Sequence, residues 1–153
     1  MTRALLALLA CAACTGTNGV APVASADLAG YASSVHPILE ARCATLDCHG
    51  DPGRPLRLYA ETGLRAADLL RGQPITMDEL VANVRALEGV DPGVPADASI
   101  VMAKPLGRID HVGGVVWADP GAAQPTCVRG WLAGSLDAAA CRTADAEVAL
   151  PPP

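Results

Sequence analysis

The sequence predicts an all-α domain, a few helices joined by long loops. Three stretches place apolar residues at helical spacing beside a cap or a stop, evidence for strands is slight, and Pro and Gly break the chain between the periodic stretches. At 153 residues the chain has material for one core and not two. It is 51% hydrophobic but only 3% aromatic, with no Phe, two Trp and two Tyr. The apolar fraction excludes wholesale disorder. A net charge of -5 with scattered basic residues argues against nucleic acid as a partner. Aromatic rings are the bulkiest pieces of a small core, so a domain this poor in them leaves room for some other flat apolar body.

In chain order, residues 1–13 read MTRALLALLACAA, one charge at Arg3 followed by an apolar run. That is the pattern of a secretory signal and is too short to span a bilayer. Leu8-Leu9-Ala10-Cys11 resembles a bacterial lipobox, in which the Cys becomes the acylated first residue of the mature chain. Residues 1–10 are then the signal peptide and Cys11 the lipidation site. The resemblance implies a membrane anchor, with Ala12 at the next position favouring the outer membrane, facing the periplasm or the cell surface. An ordinary cleaved signal ending near Ala13 or Ala26 is the competing reading, and Cys14 is a weaker acylation candidate. Residues 11–26, rich in Thr, Gly, Ala and Ser without periodicity, read as a flexible tether.

The folded domain is expected over 27–142. Residues 31–42 form a first helix through Val35, Ile38 and Leu39, with Ser33 or Ser34 as cap and Pro37 in the first turn. His36 is expected at the surface or the helix start. DPGRP at 51–55 is a loop. Residues 76–87 are the clearest helix, with a Thr76–Glu79 capping box and Met77, Leu80, Val81, Val84 and Leu87 along one face. Residues 99–104 are a short apolar turn ended by Pro105. A last helix over about 126–133 buries Val128, Trp131 and Leu132 and stops at Gly134. Residues 143–153, ending in three prolines, lack a core pattern and are expected to be a disordered tail.

Chemistry concentrates in Cys43-Ala-Thr-Leu-Asp-Cys48-His49-Gly50. Two Cys with a His directly after the second is the arrangement that attaches a c-type haem. The thiols form thioethers with the porphyrin vinyl groups and the His binds iron axially. The usual spacing is C-x-x-C-H, and here it is two residues longer. The same pair in an exported chain also reads as a Cys43–Cys48 disulfide across a short loop, leaving His49 on a turn. Cys127 and Cys141, with thirteen residues between them, read as a disulfide stapling the C-terminal segment to the last helix.

Residues 35–50, VHPILEARCATLDCHG, resemble the opening of cytochrome c-like domains of exported bacterial proteins, and PLRLY at 55–59 stands where their Leu-rich segment follows. Residues 99–117 resemble the block that supplies their opposite axial ligand, and Gly130-Trp131-Leu132 their closing helix. The resemblance implies a small domain around one covalent haem c, with Cys43 and Cys48 as thioether donors and His49 as proximal iron ligand. It implies an electron carrier in preference to an enzyme, its redox partner proteins unnamed by the sequence. For the distal ligand there are two candidates, His111 before a Gly pair and Met102 in an apolar run, and the resemblance favours His111. The competing function is a non-redox surface lipoprotein, a binding or scaffold module held by the Cys43–Cys48 and Cys127–Cys141 disulfides.

Overall fold

The computed structural model describes residues 27–149, so the signal, Cys11 and the tether lie outside the described residues. The described chain is mostly helical, and its only strand-like feature is an isolated bridge between Tyr59 and Leu64. The all-α expectation holds at that level.

The first helix is longer than its periodicity implies. It runs through α1 (Leu28–Gly30), a π-helical segment (Tyr31–Val35) and α2 (His36–Arg42). Asp27, not Ser33 or Ser34, caps it, its carboxylate accepting from Ala29 N at 3.1 Å. Pro37 therefore lies well inside the helix, where it cannot donate to Ser33 and its ring would press on that carbonyl. The π segment resolves this, with the His36 N–H reaching back to the Tyr31 carbonyl. The extra residue turns His36 inward. It is buried, not at the surface, its ring centre 5.8 Å from that of Tyr31.

α3 (Met77–Glu88) has the expected capping box, Glu79 N donating to the Thr76 hydroxyl at 3.3 Å and Thr76 N to the Glu79 carboxylate at 2.9 Å. Leu80, Val84 and Leu87 are buried as expected, but Met77 is 61% exposed and the polar Glu79 and Asn83 are buried instead. Both have inward partners. Asn83 receives Tyr59 N and donates to Tyr59 O, and Glu79 clasps Arg65 through two hydrogen bonds of 2.9 and 3.0 Å.

α4 (Ile100–Ala103) is capped by Ser99, and α5 (Ala123–Leu132) buries Val128 and Trp131. The chain does not end its order at Arg142. α6 (Ala138–Val148) begins at Asp137, whose carboxylate caps Ala139 and Ala140, and its Cys141 and Ala144 are fully packed. The missing pattern at 143–148 reflects a helix that contributes only these small residues to the core. Cys127 on α5 is bonded to Cys141 on α6. Gly130 lets the two helices close, since a Cβ there would lie 2.9 Å from the Ser135 carbonyl. The pair packs across the first helix, with Trp131 against Tyr31 at 5.1 Å and its indole N–H on the Asp27 carbonyl.

Candidate functional site

A cavity of about 400 Å³ opens between the end of the first helix, the loop that follows it, α3, α4 and the segment after α4. Its wall is mostly apolar, with Leu39, Leu56, Leu58, Leu87, Val101 and Trp117 among its residues. Its polar side chains are Cys43, His49, Lys104, His111 and the edge of Trp117, whose indole N–H is already bound to Gln124 at 3.1 Å.

His49 is placed by the tight loop that leaves α2. Its N–H donates to the Cys43 carbonyl at 2.8 Å, and Gly50 N to the Thr45 carbonyl at 2.9 Å. Gly50 must be glycine here because a Cβ would meet the Ala44 carbonyl at 2.3 Å. The imidazole Nδ1 lies 2.9 Å from the Leu56 carbonyl. A carbonyl only accepts, so Nδ1 carries the proton and Nε2 keeps its lone pair.

His111 sits on a loop whose base is closed by Val116 and Trp117, both donating to the Pro105 carbonyl at 2.8 and 3.0 Å. Its Nδ1 lies 2.9 Å from the Gly114 carbonyl, which fixes the same tautomer. Gly113 is packed beneath it, where a Cβ would come within 3.1 Å of the ring. The His49 and His111 rings have their centres 6.2 Å apart and their planes 12° from parallel. Two imidazoles bound to one metal from opposite sides, with metal–nitrogen bonds of about 2 Å, have centres roughly 6 Å apart.

Cys43 is on the wall beside them. Burial, and secondarily the neighbouring Cys48, pushes its thiol up to about 12, so it is protonated at neutral pH. Cys48 is half-buried, lies on the same loop and does not contribute to the wall. The two are free thiols, not bonded to each other. Met102 is fully buried in the core and absent from the wall, because α4 turns Ile100, Val101 and Lys104 to the cavity and Met102 and Ala103 away from it.

Lys104 and Trp117 went unmarked as site residues by sequence reasoning. The signal for Lys104 was available, since it is the chain's only lysine. Among the described residues no three His, Cys, Asp or Glu side chains form a metal cluster. No protein-family model, curated protein or solved structure matches the chain.

Proposed function

We propose that the protein is a monohaem c-type cytochrome that transfers electrons, exported and lipid-anchored at Cys11. The observation that carries the proposal is the near-parallel His49–His111 pair, 6.2 Å apart across an apolar cavity. His49 would be the proximal and His111 the distal iron ligand, with Cys43 and Cys48 holding the porphyrin as thioethers. The bound haem supplies a one-electron redox centre.

The chain's own residues support this role in three ways. Carbonyls of Leu56 and Gly114 each receive a Nδ1 proton, which orients both rings, fixes the tautomer and raises the basicity of each Nε2. The leucine-rich wall and Trp117 make the cavity lining mostly apolar, and an apolar surround tunes the potential of a redox centre. With His49 and His111 as its protein ligands, a bound haem iron would have no position left for a substrate, which favours electron transfer over catalysis. The anchor rests on the sequence of residues 8–11; no helix among the described residues is long and apolar enough to cross a membrane.

The test is the full chain purified from cells competent in haem attachment. The expected product shows a visible haem spectrum, retains haem on denaturing gels, and has an intact mass one haem above the processed polypeptide. A colourless protein whose mass fits a Cys43–Cys48 disulfide would overturn the proposal in favour of the scaffold.

A further inference from the structure

Lys104 is the only cationic side chain on the cavity wall, and the wall contains no Asp or Glu. It is half-buried, and its ammonium has no hydrogen bond or ion pair within the described residues. Its position is nevertheless firmly set. Asp91 accepts from the Ser99 hydroxyl at 3.0 Å and from Ile100 N at 2.6 Å, and the Ser99 hydroxyl in turn accepts from Val101 N at 3.1 Å. At the other end, Lys104 N donates to the Ile100 carbonyl at 3.1 Å and the Lys104 carbonyl accepts from Gly107 N at 3.0 Å. Ile100 and Lys104 are four residues apart and so share the helix face turned to the cavity. The other polar wall groups are engaged or assigned, which leaves this one charge, beside apolar surface, without a counter-charge. An ammonium in such a setting gains most from a partner brought by the occupant.

We propose that Lys104 is the anion-binding residue of the cavity and pairs with a carboxylate of the bound porphyrin. The assignment rests on the haem reading above and extends it to the polar edge of the cofactor, which the thioethers and axial ligands leave unbound. Packing of the lysine stem alone, with its head in water, is the competing role and predicts no sensitivity to the carboxylate.

The full chain is produced without haem, its thiols kept reduced, and titrated in one mild detergent with ferric protoporphyrin IX and with its dimethyl ester, following the Soret band. The affinity ratio of acid to ester is expected to fall about tenfold in Lys104→Gln and to be kept in Lys104→Arg. An unchanged ratio in Lys104→Gln overturns the assignment and leaves the haem reading standing; no Soret response to either porphyrin overturns both. The mature holoprotein provides the second measurement. Without Lys104 the unpaired carboxylate takes up a proton more readily, so the potential of Lys104→Gln should rise more steeply than that of the parent between about pH 8 and about pH 5. Superimposable profiles overturn the assignment independently of the titration.

Discussion

His111 illustrates how a single side chain is made ready for a ligand role. Its ring is held from one side by the Gly114 carbonyl at 2.9 Å and from another by the absence of a side chain on Gly113. Gly113→Ala would set a methyl within 3.1 Å of the ring and force it to move, so this small change should perturb the haem spectrum of the mature protein more than its fold. If the protein is the proposed cytochrome, His111→Ala should convert its iron to a ligand-accessible form, read as new binding of carbon monoxide or cyanide, while Met102→Ala should not. Met102 instead leaves a core cavity, with a cost of about 2–5 kcal/mol in denaturant unfolding. An oxidised spectrum that changes in Met102→Ala and not in His111→Ala would reverse the assignment. On the proposed bis-imidazole ligation the potential should also lie below that of a His/Met pair, because thioether ligation raises it.

At the scale of elements, the first helix and the α5–α6 hairpin are fixed by different devices. A π segment absorbs Pro37 and turns Tyr31, Val35 and His36 inward together. The hairpin is fixed by the Cys127–Cys141 bond and by the close approach at Gly130. Replacing both cysteines by Ser should cost about 3 kcal/mol by releasing the loop in the unfolded chain. Urea unfolding of the double variant, compared with the parent under reducing and oxidising conditions, checks this; a difference that survives reduction would show that packing of the two sulfurs, not the cross-link, supplies the stability. Gly130→Ala brings a Cβ to 2.9 Å from the Ser135 carbonyl and should cost about 1–3 kcal/mol by the same measurement.

At the scale of the whole molecule, a buried ion pair off the cavity wall ties the 61–76 segment to α3. Arg65 and Glu79 are both buried; the guanidinium also donates to the Leu70, Gln73 and Pro74 carbonyls, and the carboxylate also receives Ala66 N and Thr76. Desolvation alone would raise the Glu79 carboxyl, but hydrogen bonds from Arg65, Ala66 and Thr76 outweigh it and hold the group at about 2. Since the folded value lies below the unfolded one of 4.5, this contribution is complete above about pH 4.5 and is lost as the pH falls to about 2. Acid unfolding followed by circular dichroism should show a step in that window, reduced in Glu79→Gln. At neutral pH the same variant leaves Arg65 charged and buried, at a cost of about 3–5 kcal/mol. A Glu79→Gln protein as stable as the parent at pH 7 would show that the pair does not hold the 61–76 segment.

The sequence by itself determined what depends on near neighbours. Helical spacing and the Thr76–Glu79 box placed α3, Pro and Gly marked the loops, and the Cys43–Cys48–His49 spacing marked one side of the candidate site. It also left an open choice between His111 and Met102, because both lie at plausible separations along the chain and spacing contains no direction. Tertiary packing turns α4 so that Met102 enters the core, while the loop closed on Pro105 brings His111 near His49, and the proposal favours His111 for that reason. It likewise ordered α6, whose alanines show no stripe until the disulfide and Asp137 hold them against α5, and it buried Glu79 and Asn83 because each found partners that only distant residues provide. Local pattern records which face of an element is apolar. What that face meets depends on contacts between residues far apart in the chain, and that is where the cavity, its lysine and its paired imidazoles arise.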